Sequence, residues 1–109
     1  MATDPTTPLS SAIQAVWQRS LPQTRERIAL LQRAAAQLSE SRSIDTDLRA
    51  EALTVAHKLA GSLGMFGFSA GTEEARAIEA ELSKEGLPQP ERLQSHVDAL
   101  AAGLSLHEG

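Results

Sequence analysis

Leu48-Arg49-Ala50-Glu51-Ala52-Leu53-Thr54-Val55-Ala56-His57-Lys58-Leu59-Ala60-Gly61-Ser62-Leu63-Gly64-Met65-Phe66 is the stretch on which the fold turns. Each residue of an α-helix rotates about 100° from the last. With Leu48 as the zero direction, Ala52, Val55, Leu59, Leu63 and Phe66 all fall within roughly 60° of it, and Ala56 lies near the margin. This spacing predicts a helix from about 46 to 66 with a continuous buried stripe and with Asp45 as its N-cap. His57 falls at roughly 180°, opposite the stripe, and is predicted to face solvent.

The same period runs outward in both directions. A stripe of Ile28, Leu31, Ala35 and Leu38 predicts a helix from about 22 to 41, and Ser41-Arg42-Ser43 reads as a short connection. Pro8, with Thr7 as cap, suits the first turn of a short leading helix carrying Leu9, Ile13, Val16 and Trp17, which Pro22 is expected to end. Ser69 is the expected cap of a further helix with Ala75, Ile78 and Leu82 in its stripe. Gly86-Leu87-Pro88 is a stop signal. Leu93, Val97, Leu100 and Leu104 predict the last helix, from about 90 to 106. β-branched residues are sparse and nowhere alternate, so strands are not expected. Helices joined by connections this short pack antiparallel. The expected fold is therefore all-α: an antiparallel up-and-down four-helix bundle with a short additional N-terminal helix. Residues 1–7 are expected to form a flexible tail, with one domain over 8–109.

Composition narrows the function. The chain has 109 residues, 41% of them hydrophobic, which is one domain with a packed core. A net charge of -4 and only three aromatic residues, Trp17, Phe66 and Phe68, argue against a nucleic-acid surface. The absence of cysteine excludes disulfides, thiolate nucleophiles and Cys-based metal sites. No apolar run approaches the ~20 residues of a membrane span, and the N-terminus has no signal-peptide pattern. A cytoplasmic location follows as the simplest expectation. The initial Met and the short tail point to a standalone chain.

The face around His57 is unusual. Its helix-surface neighbours are Leu53 and Thr54 before it and Ala60 and Gly61 after it. Gly64 lies one turn further. Beyond the imidazole, then, nothing on that face is expected to exceed a methyl group. Two glycines inside a helix cost about 0.8–1 kcal/mol each relative to Ala. A solvated surface gains nothing structural from that cost, whereas close approach of another molecule to His57 would explain it, with Leu53 as an apolar patch to be covered. Two blander readings exist: Gly61 as a site of close helix packing, and Gly64 as part of a fraying helix end. Gly67 reads as the C-terminal cap, with Phe68 folding back onto the core. His96 and His107 are read as bystanders, since the three histidines lack the spacing of a metal site. Glu73, Glu74, Glu79 and Glu81 are read as a solvated helix face with Arg76 and Lys84 as partners.

His57-Lys58-Leu59-Ala60-Gly61-Ser62, followed by Gly64-Met65-Phe66-Gly67-Phe68, resembles the phosphoacceptor helix of histidine-containing phosphotransfer (HPt) domains of two-component phosphorelays. The family pattern is His-x-Leu-Lys-Gly-Ser followed by a Gly near the helix end, and His57, Leu59, Gly61, Ser62 and Gly67 match it. The resemblance implies that His57 accepts a phosphoryl group from a receiver-domain aspartyl phosphate and passes it to another receiver. Lys58, Gly61 and Ser62 would support it, and Leu53, Ala60 and Gly64 would meet the partner. It implies no stably bound cofactor, with Mg²⁺ on the partner receiver, and a monomer whose partners are receiver domains of response regulators or of a hybrid histidine kinase. The sequence departs from the pattern at Ala60, where the family has lysine; Lys58, roughly 100° around the helix, is the nearest cation. No nucleotide-binding loop is present, so the chain is expected to be a phosphocarrier and not a kinase.

Two other readings compete. A helical module that docks a receiver or kinase without transfer is favoured by the missing lysine. The phosphoacceptor region of a sensor kinase also exposes a histidine on a helix, but Lys58 and Gly61 fit it poorly.

Overall fold

The computed structural model describes residues 11–105, and these form four helices and no strand: α1 (Ser11–Ser41), α2 (Thr46–Met65), α3 (Ser69–Ser83) and α4 (Pro90–Ser105). Each helix packs on its neighbours in sequence, α4 closes on α1, and no diagonal pair packs. Side-chain links between opposite ends of successive helices fix the antiparallel sense. Trp17 near the start of α1 meets Phe66 at the end of α2, and Arg49 at the start of α2 reaches the end of α3. The result is the expected up-and-down four-helix bundle. The expected tail over 1–7, Thr7, Pro8, Leu9, the last-helix end at 106 and His107 lie outside the described residues.

The leading helix and the 22–41 helix are one. α1 runs through Pro22 for 31 residues. Proline removes one backbone donor and crowds the carbonyl four residues back. Both Pro22 and Gln18 are exposed, so the orphaned carbonyl lies on the solvent side. Next to the proline, the Ser20 hydroxyl donates to the Trp17 carbonyl (2.7 Å) and the Thr24 hydroxyl to the Ser20 carbonyl (2.9 Å). Trp17, Leu21, Thr24 and Ile28 are all buried on one side of this segment, so tertiary burial keeps the helix continuous through a residue that locally disfavours it. Ile13 and Val16 are exposed, because α1 is about twice as long as α4 and its first turns have less to pack on.

The other stripes are buried as their spacing predicts: Ile28, Leu31, Ala35 and Leu38 in α1, Ala75, Ile78 and Leu82 in α3, and Leu93, Val97, Leu100 and Leu104 in α4. All three aromatic residues meet in one cluster. The Trp17 ring lies edge-on to Phe66 (5.1 Å between centroids) and to Phe68 (4.8 Å).

The turns show which local signals held. Asp45 caps α2, its carboxylate accepting from the Leu48 N–H at 3.0 Å. Gly67, at φ +80°, ends α2 in a Schellman motif, with Phe68 N–H to Leu63 O and Gly67 N–H to Gly64 O. Ser69 is not a cap: it is the first residue of α3, and Phe68 stands at the cap position without a side-chain bond. The α3 end is instead capped from α2. The Arg49 guanidinium donates to the carbonyls of Leu82, Lys84 and Gly86 at 2.6–3.0 Å, satisfying groups a helix C-terminus leaves open.

Glu81 departs from the expected solvated face. It is buried, its carboxylate accepting from the Lys84 ammonium (2.9 Å) and the Gln89 N–H (2.8 Å), with Arg92 at 3.9 Å. Burial by itself pushes this carboxyl up, but the hydrogen bonds from Lys84 and Gln89 and the charges of Lys84 and Arg92 outweigh it and hold the pKa below the ordinary glutamate value. A lowered folded pKa contributes stability above the ordinary carboxylate range. That stability is lost as pH falls through the folded value. Glu81→Gln is expected to cost about 1–3 kcal/mol at pH 7 and to flatten the acid limb of stability against pH. Urea unfolding from pH 7 down to pH 3 measures both.

Candidate functional site

The buried residues of α2 are Ala52, Ala56, Leu59, Ala60 and Leu63. Their mean direction lies roughly 60° round from Leu48, on the side facing α3. Leu48 and Val55 are only half-buried at the opposite margin. The cause is the closeness of α3. A Cβ added to Gly71 of α3 would stand 3.1 Å from the Leu63 side chain, and the Thr72 hydroxyl donates to the Ala60 carbonyl at 3.4 Å.

His57 remains outside this wider buried arc, with its side chain 76% exposed. Its Nδ1 lies 2.8 Å from Glu79 Oε2 on α3. An ionised carboxylate only accepts, so Nδ1 carries the hydrogen, and in the neutral ring Nε2 holds the free lone pair. Glu79 thus fixes both the tautomer and the orientation of an accessible imidazole on a helix held by the core.

The other expected site residues divide. Gly61 is exposed, and a Cβ there would meet nothing within 4 Å, so it makes room for no neighbouring helix. Gly64 is exposed on nearly the same face as His57; a Cβ there would make an ordinary 3.5 Å contact with the Thr72 hydroxyl. Ala60 is not on the open strip: it is buried under α3 at 6% exposure and is not available to a partner. A long side chain at this position would have to leave the α2–α3 interface to reach solvent. Leu53 is half-buried and packs partly against the core, so little of it is left to be covered. Ser62 is half-buried and lies roughly 140° around the helix from His57, off its face. Lys58 is exposed on the α1 side and makes no ion pair among the described residues.

Sequence reasoning missed Glu79 as the partner of His57. His96, read as a bystander, has a carboxylate partner of its own: its Nδ1 lies 2.6 Å from Glu74 Oε1, with the ring one-third exposed. Among the described residues, no group of three or more His, Asp or Glu is placed to hold a metal ion, and no helix is long and apolar enough to cross a membrane.

The structure is thus a closed ring of four antiparallel helices with an exposed, oriented imidazole on its second helix. The family model described as Hpt domain matches residues 15–105, and the chain belongs to that family. Its members are phosphotransfer modules of two-component signalling that interact with receiver domains; they are phosphocarriers, not kinases. No curated protein and no solved structure matches the chain at a significant level.

Proposed function

We propose that the chain is a phosphorelay intermediate in which His57 takes a phosphoryl group from the aspartyl phosphate of one receiver domain and gives it to another. The observation that carries this is the exposed imidazole held through Nδ1 by Glu79, with Nε2 free. The Nε2 lone pair attacks phosphorus in line. The P–N bond forms, the P–O bond to the aspartyl carboxylate breaks, and the carboxylate leaves with the bonding electrons. The ring becomes a phosphorylated imidazolium, and its positive charge lies beside the Glu79 carboxylate. Transfer to the next receiver reverses these steps. Phosphoryl transfer depends mostly on positioning and charge stabilisation, so this chain needs only to hold the acceptor still and leave it accessible. The receiver supplies the carboxylates and the Mg²⁺. Gly61 and Gly64 leave the approach to His57 open. The chain acts as a monomer, since its apolar stripes from Ile28 onward are buried within one bundle, and it works in the cytoplasm.

The test is incubation with receiver domains phosphorylated on aspartate. The chain is expected to take up label that is acid-labile and alkali-stable, as a phosphorus–nitrogen bond is. A chain that binds such a receiver without ever taking label would be a docking module instead.

Glu79 is a positioning residue in this reading. Glu79→Ala is expected to lower the rate of transfer from a receiver about 10- to 100-fold, because the ring is no longer held at the attacking angle. Glu79→Gln, whose amide oxygen still accepts from Nδ1, is expected to recover most of the loss. A purely structural role would show instead as matching losses of thermal stability in both variants.

A further inference from the structure

We propose that the groove between α1 and α2 is the docking site for an acidic surface of the partner receiver, with Arg27, Arg33 and Lys58 supplying the charge; this rests on the phosphotransfer reading above. The groove encloses about 480 Å³ and has Leu30 and Val55 among its lining residues. Arg27 and Arg33 of α1 and Lys58 of α2 line it, with Glu26 as its one carboxylate. None of these four charged side chains has a hydrogen bond or ion pair among the described residues. Elsewhere Arg49, Lys84 and Arg92 are committed to carbonyls or carboxylates. Three uncommitted cations in one groove stand out on a chain of net charge -4.

Their position ties them to His57. Going round the outer face of α2 from His57, Gly61 and Thr54 come next and Lys58 follows, roughly 100° from the imidazole. On the other side of His57 stands α3, whose Glu79 carboxylate lies against the imidazole, while Glu74 turns away to His96 of α4. The cationic groove therefore lies on the α1 side of the acceptor. A partner whose own transfer site is built of carboxylates is drawn toward that side, which favours one way of landing. Leu30 and Val55, both half-buried, offer the groove an apolar floor for one side chain of that partner. Charge of this kind acts chiefly on the rate of encounter and on orientation. It also relocates to α1 and Lys58 a positive charge that the buried Ala60 does not provide.

The experiment compares the wild-type chain with Arg27→Glu/Arg33→Glu. The probes are a panel of aspartyl-phosphorylated receiver domains and the small donor phosphoramidate. For a receiver that labels the wild type, the double reversal is expected to lower the second-order transfer constant about tenfold or more at low salt. The gap should close as ionic strength rises past the point where the Debye length falls to about 3 Å, near 1 M. Arg27→Lys/Arg33→Lys should stay near wild type, and labelling by phosphoramidate should be unchanged in all variants. Equal transfer from receivers to wild type and double reversal overturns the groove and leaves the phosphocarrier reading intact. An equal loss with phosphoramidate also overturns it, since the cations would then act on the phosphoryl group itself and not on a protein surface. Failure of every receiver and of phosphoramidate to label the wild type overturns the phosphocarrier reading and the groove with it.

Discussion

His57→Gln is expected to take up no label from any phosphorylated receiver that labels the wild-type chain, while its helical spectrum and unfolding midpoint stay as they were. The first half follows from the nucleophile. An amide nitrogen has no available lone pair at neutral pH and forms no stable phosphoramidate, so removing the imidazole removes the bond that carries the label. The second half follows from exposure. His57 is 76% exposed and its one polar partner, Glu79, keeps access to water. Surface changes of this kind usually stay within about 0.5 kcal/mol. His96 gives the experiment its edge. It too has a carboxylate at Nδ1, and its ring is one-third exposed. If the His57 variant still took up acid-labile label, the acceptor would have been misassigned, and His96 would be the next residue to replace.

What the sequence could tell about the site and what it could not divide along a physical line. The helical period put His57 on the outside correctly, because its angular distance from the stripe is large enough to survive an error in where that stripe is centred. Ala60 sits closer to the margin, and there the same error mattered. Taking Leu48 as the centre assumes that the two neighbouring helices cover α2 evenly. In fact α3 comes closer, and the buried arc moves toward it and takes Ala60 in. A one-helix wheel contains no information about which flank is better covered. Gly71, on the other helix, was the residue that bore on it.

Pro22 shows a local rule overruled by burial. The proline penalty is real, yet Trp17, Leu21 and Ile28 lie in one buried row across it, and the lost bond faces water. Glu79 was more legible than it looked. In an antiparallel helix pair, residues equally far from the turn stand level with each other. His57 and Glu79 are each about eleven residues from Phe68 in the α2–α3 turn, and His96 and Glu74 are each about eleven from Glu85 in the α3–α4 turn. Once the two turns were placed, both pairs were within reach of the sequence alone. Arg49 and Glu81 were not, because capping a neighbouring helix and burying a carboxylate depend on how closely the helix ends approach.

Gly61 gives the sharpest separation of folding from function. Gly61→Leu is expected to raise stability and to slow transfer from a receiver about 100-fold. A helical glycine costs about 0.8–1 kcal/mol relative to good helix formers, and leucine is one of these. Since a Cβ at Gly61 would meet nothing within 4 Å, the substitution introduces no clash inside the chain to cancel that gain. The unfolding midpoint should rise by about 4 °C. The new side chain, however, stands one turn beyond His57 and roughly 40° around from it, on the surface a receiver must cover to bring its phosphorus in line with Nε2. A displacement of about 1 Å at the reacting atoms is enough for a loss of this size. Gly61→Ala should sit between the two, nearly as stable and less impaired. Phosphoramidate, small enough to pass the leucine, should still label His57 in both variants. Wild-type transfer rates in a stabilised Gly61→Leu chain would mean that receivers reach the imidazole from another side, and the exposed strip of α2 would lose its role.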